Sequence, residues 1–305
     1  MKKQFHRIAA FLLVLMLSFQ IILPSVAGDD VVEIKTVQDL VQFAKNCSLD
    51  TWSQGKTVIL QSDLSLKNVE FASIATFGGT FDGNGHTISD VTITQGTAPT
   101  GFFRILQKDA VIKDLNIIGT VDPFGDGQNV GGIVGENNGT ITNCSFTGEI
   151  TGKQNTGAIA GINAVTGKIE NCRTAGVVEG NQRTGGIAGY NLGIISNCNN
   201  NALVNTSGAD QALNVADLSF DFSLDLANLE SQEIIGVSMD TGGIAGYSSG
   251  AIQNCKNEGT IGYQHVGYNV GGIAGRNCGY IQNCTNSAEI FGRKDIGGII
   301  GQAEP

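Results

Sequence analysis

Basic residues and histidines are scarce in this chain of 305 residues. Lys and Arg number 18 against 28 Asp and Glu, the formal net charge is −10, and there are only three His. Because a nucleic acid or an anionic lipid surface is met by clustered basic residues, we expect neither as a partner. The same scarcity leaves few groups for a catalytic cluster of Asp, His, Lys and Arg on one strand face.

Aromatic residues and long apolar runs are also few. One Trp, five Tyr and 14 Phe stand against 43 Gly, which suits a narrow structure filled by Ile and Val better than a large aromatic core. Beyond the first 27 residues no apolar stretch is long enough to span a bilayer. A zinc-binding His-Glu-x-x-His motif is missing, and we expect neither a metal nor another cofactor.

A glycine-flanked isoleucine followed by Ile-x-Asn-Cys recurs along the chain. Gly131-Gly132-Ile133 leads to Ile141-Thr142-Asn143-Cys144, and the pair returns every 26 to 29 residues or so until Ile281-Gln282-Asn283-Cys284. Each unit holds three short apolar and polar alternations separated by Gly and Asn, which indicates short strands joined by bends. Repetition of this length predicts a solenoid, and the Leu-x-x-Leu-x-Leu core of a leucine-rich repeat is missing.

Earlier segments fit the same unit. Gly79-Thr80-Phe81 followed by Ile88 to Val91, and Gly101-Phe102-Phe103 followed by Ile112 to Leu115, resemble its two halves. The sequence therefore predicts an all-β fold, a parallel β-helix of about eight coils over residues 57–305.

These residues resemble a known repeat family. Gly-Gly-Ile-Ala-Gly followed by Ile-x-Asn-Cys is similar to the GLUG repeat of bacterial secreted and surface proteins, and residues 79–88 (GTFDGNGHTI) resemble the opening coil of that group. The resemblance implies a right-handed, pectin-lyase-like β-helix. Some members resemble the N-terminal portion of immunoglobulin A1 peptidases, whose zinc peptidase motif this chain lacks.

The N-terminal residues predict export and a cap. Lys2, Lys3 and Arg7 precede an apolar run, and Ser25-Val26-Ala27 is a small-x-small cleavage site, so residues 1–27 are predicted to be a signal peptide cut after Ala27. Residues 28–56 are predicted to form an N-terminal cap of a strand and a helix, with Thr36 and Asp39 as a capping box. We expect a secreted, extracellular protein.

Two residue types form columns when the units are aligned. Buried free thiols are favoured over vertical disulfides or metal ligands for Cys144, Cys172, Cys198, Cys255 and Cys284, because the same register in earlier coils holds Leu115 and Val91. Beside them we expect bends at Asn143, Asn171, Asn197, Asn254 and Asn283, and at Asp90 and Asp114 in the earlier coils.

Two features are candidate ligand-binding sites. An insertion at about 207–238 breaks the period and places Asp217, Asp221 and Asp225 on one strand face, either as a solvated face or as one half of a calcium site. Tyr190 and Tyr247 follow equivalent glycines of consecutive coils, so their rings are expected about 5 Å apart. They are either ordinary coil-to-coil stacking or a small platform for sugar rings.

The functional expectation is a secreted, non-catalytic β-helix that acts in extracellular adhesion, scaffolding or cell-surface binding. Its partners would be a cell-wall glycan, a host glycan or a surface protein. A carbohydrate-active enzyme of the pectin-lyase-like group and a fragment of a larger surface protein are the alternatives. A further unit begins at Gly297-Gly298-Ile299 and stops at Pro305, which predicts end-to-end self-association through the C-terminal coil.

Overall fold

Each repeat folds into one coil of a parallel β-helix. The computed structural model describes residues 30–125, 127–207 and 238–305, and its strands stack in four parallel sheets. A full coil contributes one strand to each sheet in turn, and each strand pairs with its equivalents in the coils before and after. The predicted fold class is confirmed.

The four sheets are numbered in the order in which a coil visits them. Sheet 1 contains Gln128–Gly131, Gln154–Gly157, Gln182–Gly185, Met239–Gly242, Tyr268–Gly271 and Lys294–Gly297. Sheet 2 contains Ile74–Phe77, Phe103–Leu106, Val134–Asn137, Ala160–Asn163, Ala188–Asn191, Ala245–Ser248, Ala274–Asn277 and Ile300–Ala303. Sheet 3 contains Asp30–Ile34, Lys56–Leu60, Thr80–Asp82, Val111–Lys113, Thr140–Thr142, Lys168–Glu170, Ile194–Ser196, Ala251–Gln253 and Tyr280–Gln282. Sheet 4 contains Leu64–Ser65, Thr87–Ile93, Asn116–Val121, Ser145–Thr151, Arg173–Glu179, Asn199–Asn200, Leu203–Val204, Lys256–Asn257 and Thr285–Asn286.

The isoleucine columns fill the interior. Ile141 pairs in register with Ile112 and Ile169, and all three are fully buried. The isoleucine that follows the paired glycines is also fully buried in five successive coils, at Ile133, Ile159, Ile187, Ile244 and Ile273. Stacking β-branched residues in line buries a continuous apolar core that no single coil has by itself.

The N-terminal end is covered by one helix, as predicted. Helix α1 spans Val37–Asn46 and begins with a capping box, in which the Thr36 side chain accepts from the backbone of Asp39 while Asp39 accepts from the backbone of Thr36. The ring of Phe43 on its buried face lies 5.8 Å from that of Phe77. The aromatic residues are concentrated in these first coils, so the helix caps an aromatic core.

Two early segments lie one strand away from their predicted place. Phe81 stacks on Ile112 in the column of Ile141, not in the column of Ile133. A register shift between Ile88 and Val91 then pairs Val91 with Gly119, so Asp90 and Val91 do not belong to the asparagine and cysteine columns. Because Gly-x-apolar triplets precede the strands of both sheet 2 and sheet 3, the sequence pattern alone did not distinguish the two positions.

The coil with the insertion returns to register. Gln182 pairs with Met239 and Thr184 with Thr241, although the stacked Asn191 and Ser248 are 57 residues apart instead of the 26 or 28 that separate the preceding pairs. Residues 208–237, with Asp217, Asp221 and Asp225, lie outside the described residues. In the last coil Ile296 and Ile299 are 48% and 37% exposed, and the self-association proposed for this coil stays a prediction.

Candidate functional site

One residue in each sheet 1 strand has a left-handed backbone. The residues of this column are Asn129, Asn155, Arg183, Asp240, Asn269 and Asp295, with φ between 53° and 58°. Asn and Asp adopt this conformation readily, whereas Arg183 does so at a cost of about 1 to 2 kcal/mol. The column therefore reflects a bend that each of these six coils makes at this point.

The glycine of the sheet 2 strands from Ala160–Asn163 onwards accommodates that bend. A Cβ atom on Gly246 would lie 2.3 Å from the backbone carbon of Arg183, and one on Gly189 equally close to that of Asn155. Only glycine permits this approach, which explains the last glycine of the Gly-Gly-Ile-x-Gly motif. Sheets 1 and 2 thus meet closely, and the side chains beside this junction come together.

Five side chains at the junction form what we call the corner strip. Its members are Arg183, Tyr190, Asp240, Tyr247 and Arg276. Tyr190 and Tyr247 pair in register, and their ring centroids lie 5.1 Å apart at an interplanar angle of 78°. The rings meet edge to face and do not form a flat platform, so any ligand contacts one ring face and one ring edge.

Arg183 lies over both tyrosine rings. Its guanidinium carbon is 5.0 Å from the centroid of Tyr190 and 5.8 Å from that of Tyr247, within cation–π range. One guanidinium nitrogen donates to Asn155 Oδ1 at 3.3 Å. Arg183 was not among the site residues predicted from the sequence, although the aligned repeats show an Arg in a column that otherwise contains only Asn and Asp.

Arg276, in the next coil, is fully paired. Its Nε donates to Asp240 Oδ1 at 3.0 Å and its Nη1 to Glu304 Oε1 at 3.1 Å. Asp240 is only 6% exposed and also accepts from Asn269 at 2.7 Å. A buried carboxylate needs such partners, so Asp240 and Arg276 stabilise each other.

Tyr247 stays a neutral phenol. A hydrogen bond with Cys278 at 3.2 Å, partial burial and a hydrogen bond donated to Glu304 Oε2 at 3.1 Å raise the pKa of Tyr247 above its usual value. The hydroxyl is therefore a donor or an acceptor over the whole physiological pH range and not an anion.

A row of amides runs beside the corner strip. Gln128, Gln154 and Gln182 are stacked in register in sheet 1, immediately before the left-handed residues. With Lys153 and Asn181 they line an open groove of about 250 Å³. Amides both donate and accept hydrogen bonds, so the surface combines aromatic rings with groups suited to hydroxyls.

Buried amide ladders hold the coils together and were also missed. Asn137 donates to Asn163 at 2.7 Å, Asn163 to Asn191 at 2.8 Å, and Asn191 to Ser248 Oγ at 3.1 Å, all fully buried. Residues 246–250 also read Gly-x-Ser-x-Gly, a nucleophile pattern, but Ser248 lies inside this ladder and has no access to a substrate. Its role is structural.

The predicted bends are confirmed. Asn143, Asn171, Asn197, Asn254 and Asn283 all have φ between 52° and 54°, Asp114 has φ of 53°, and Asp90, although outside this column, has φ of 56°. Their side chains link neighbouring coils, as from Asn143 to Asp114 at 3.2 Å and from Asn283 to Asn254 at 3.3 Å. The bend uses the tolerance of Asn for the left-handed region.

All seven cysteines are free. Cys144, Cys172, Cys198 and Cys255 are at most 2% exposed, and Cys284 is half-buried. Each Sγ in the column contacts the carbonyl oxygen two residues before it, as in Cys172 to Glu170 at 3.3 Å. Burial raises the pKa of the Cys144, Cys172 and Cys198 thiols, and that of Cys47 to about 12, so these cysteines are poor nucleophiles.

This burial predicts the alkylation pattern. In folded protein at pH 8, iodoacetamide should label the exposed Cys278 within minutes, Cys284 slowly, and the remaining five cysteines only after unfolding. Intact-mass spectrometry before and after urea counts the labels. Cys278→Ser should remove the fast label, and rapid native labelling of Cys172 or Cys198 would contradict their interior position.

No group of three or more His, Cys, Asp and Glu within the described residues is placed to hold a metal ion. His86 closes a tight turn, in which its backbone nitrogen donates to the carbonyl oxygen of Gly83 at 2.8 Å and Asn84 has φ of 52°. Its ring contacts Asp63 at 3.0 Å on the surface. This exposed pair lies in the early coils and apart from the corner strip.

One coil matches the model of a known repeat. Residues 126–151, from the start of a sheet 1 strand to the end of a sheet 4 strand, match the GLUG motif. The chain therefore carries a GLUG motif in one coil of its parallel β-helix. In this GLUG coil the left-handed residue is Asn129, and two coils later the equivalent residue is Arg183.

Two known proteins are similar to this chain. It is 35% identical over 86 residues to Halomucin from Haloquadratum walsbyi, a stretch that is 28% of this chain and 1% of Halomucin. A crystal structure of a "putative immunoglobulin A1 protease" from Bacteroides ovatus superposes with a TM-score of 0.62 at 20% identity, covering 89% of this chain and 83% of that one. Because the two sequences are only 20% identical, this similarity is evidence for a shared fold alone.

Proposed function

We propose that this protein is a surface or extracellular repeat protein that binds a glycan without cleaving it. The signal-peptide pattern of residues 1–27, the GLUG motif and the stretch shared with Halomucin support the extracellular setting. Among the described residues no helix is long and apolar enough to span a membrane. The matched stretch is only 1% of Halomucin, so the role of the whole of that protein is not assigned to this chain.

The corner strip carries the proposal. Tyr190 is in the same coil as Gln182, the last of three stacked amides, and Tyr247 follows in the next coil, where Met239 takes the place of the amide. The coil repeat gives both rows the spacing of neighbouring parallel strands, about 4.8 Å. The apolar faces of sugar rings pack on aromatic side chains, and their hydroxyls pair with amides. Because both rows run across the coils, we infer an extended polysaccharide of a cell wall or a host surface as the ligand, in adhesion or scaffolding.

Truncation of both rings tests this. On an array of cell-wall and mucin-type glycans, Tyr190→Ala with Tyr247→Ala should weaken binding of the retained glycan by about 100-fold, since each buried tyrosine at an interface contributes on the order of tenfold. Tyr280→Ala is the matched control, because Tyr280 is 52% exposed and lies on sheet 3. Equal loss in both variants would contradict the assignment of the strip.

A carbohydrate-active enzyme is the second candidate. The observation in its favour is that Asp240, Arg276 and Glu304 come together on the same face as the tyrosines. Both carboxylates are ion-paired to one guanidinium, which leaves neither poised as a free acid or base. Overnight incubation of the bound glycan should therefore release no new reducing ends or unsaturated products, and their appearance would establish the enzyme.

A further inference from the structure

Arg183 is not required by the fold at its position. The equivalent residues in the coils before and after it are Asn or Asp, which adopt the left-handed backbone at lower cost. Backbone strain of this kind persists where the side chain has a function. The reason for Arg183 should therefore be sought in its guanidinium group.

The guanidinium is held in place before any ligand binds. Its carbon lies 5.0 Å from the ring centroid of Tyr190 and 5.8 Å from that of Tyr247, and one nitrogen donates to Asn155, so three contacts restrain the group. A guanidinium has five N–H donors, and within the described residues the bond to Asn155 is the one hydrogen bond that the Arg183 side chain makes, which leaves donors for a ligand. A fork of donors fixed in this way loses little entropy when it binds.

The two arginines of the corner strip differ in their charge partners. Arg276 is paired with Asp240 and Glu304, whereas within the described residues no carboxylate lies within 4.0 Å of Arg183. Asp240 stands one coil from Arg183 in the same column, but its Oδ1 accepts from Arg276 and Asn269. Arg183 is thus a half-buried cation with no carboxylate partner among the residues that the structure describes, in a protein whose formal net charge is −10.

The coil before Arg183 is neutral or basic in the two columns. Asn155 and Ile162 precede it by one coil, and Lys153 lines the groove beside Gln154 and Gln182. Within the described residues Lys153 also forms no ion pair. On this side the first carboxylate in these columns is Glu136, two coils before Tyr190, so among the described residues an anion at Arg183 meets a neutral or basic coil first.

We propose that the corner strip selects acidic saccharides, and that the carboxylate of a uronic or similar sugar acid binds side-on to Arg183. The planar carboxylate matches the guanidinium fork and forms two parallel hydrogen bonds, which a neutral sugar cannot. Lys153 adds a second positive charge along the groove. This inference rests on the proposed glycan binding and names its substrate class.

Matched oligosaccharides test the inference on the full chain. The probes are a galacturonic-acid tetrasaccharide, its methyl ester and a sulfated tetrasaccharide, measured by calorimetry in 50 and 200 mM NaCl. The free acid should bind about 10- to 100-fold more tightly than the ester, since a charge-assisted pair is lost on esterification. The affinity for the acid should fall as salt rises, and that for the ester should not.

The substitution Arg183→Asn isolates the guanidinium. Asn is the residue that the column carries at positions 155 and 269, so the variant should keep the wild-type melting temperature while losing the preference for the acid. Arg183→Lys should recover the salt dependence but only part of the affinity. Arg173→Asn, at an exposed arginine on sheet 4, is the matched control and should bind like the wild type.

The possible results separate the two proposals. Equal binding of acid and ester, unchanged preference in Arg183→Asn, or tighter binding of the sulfated probe would each overturn the selection of carboxylates while leaving glycan binding in place. Binding to neutral glycans alone on the array would do the same. If no saccharide of any class binds, both the proposed function and this inference fall.

Discussion

Asn163→Asp is expected to lower the free energy of unfolding by about 3 to 5 kcal/mol at pH 7, the cost of an uncompensated buried charge. Asn163 is fully buried, and its Nδ2 donates to Asn191 Oδ1, with Gly167 O and Ile194 O each 3.3 Å away. A carboxylate oxygen at that place would face three acceptors and no donor. The loss should appear in urea denaturation followed by circular dichroism.

The pH dependence of this loss has a definite sign. Burial raises the pKa of the new carboxyl group in the folded protein above its unfolded value of about 3.9. The destabilisation therefore grows as pH rises above that unfolded value and levels off once the folded pKa is passed. Below about pH 4 the group is protonated in both states and donates a hydrogen bond, so most of the stability should return.

The matched control is Asn181→Asp, which adds the same charge at an exposed position. Its stability should stay within about 0.5 kcal/mol of the wild type across the same pH range. A loss in Asn163→Asp that does not depend on pH would show that the ladder tolerates the charge and that the variant is destabilised by the missing amide donor alone.

The repeat register determined how far the sequence could predict this fold. Columns of one residue type, such as Ile141 with Ile169 and Cys144 with Cys172, are read directly from aligned units, and the structure places them as expected. The early coils were harder because Phe81 and Asp90 follow glycine patterns that two different sheets share. Periodicity predicts which residues stack on one another, but it does not predict to which of the four sheets a segment belongs.

The candidate site was predictable only in part. Tyr190 and Tyr247 occupy equivalent positions, so their proximity followed from the repeat. Arg183 and Asp240 reach the same corner from sheet 1, and their approach depends on a left-handed backbone packed against a glycine of sheet 2. A hydropathy pattern does not indicate where the backbone is left-handed. The column of Asn, Asp and Arg was the one feature of the sequence that indicated this conformation.

The second large effect concerns a glycine that the apolar pattern does not mark. Gly176 pairs in register with Gly148 in sheet 4 and has φ of 108°. A Cβ atom there would lie 2.0 Å from the carbonyl oxygen of Gly148, closer than any real contact. Because that oxygen belongs to the backbone of the neighbouring coil, the clash is not relieved by rotating a side chain.

Gly176→Ala should therefore destabilise the protein by about 3 kcal/mol or more, the sum of an unfavourable backbone conformation and a forced shift of the adjoining strand. Two controls separate these causes. Gly85→Ala, at φ of 78° with no atom within 4 Å of the new Cβ, carries the conformational cost alone, of about 1 to 2 kcal/mol. Gly298→Ala meets no atom within 4 Å and should change stability by less than about 0.5 kcal/mol. If Gly176→Ala is no worse than Gly85→Ala in urea denaturation, the coils are spaced more loosely at this column than the structure describes.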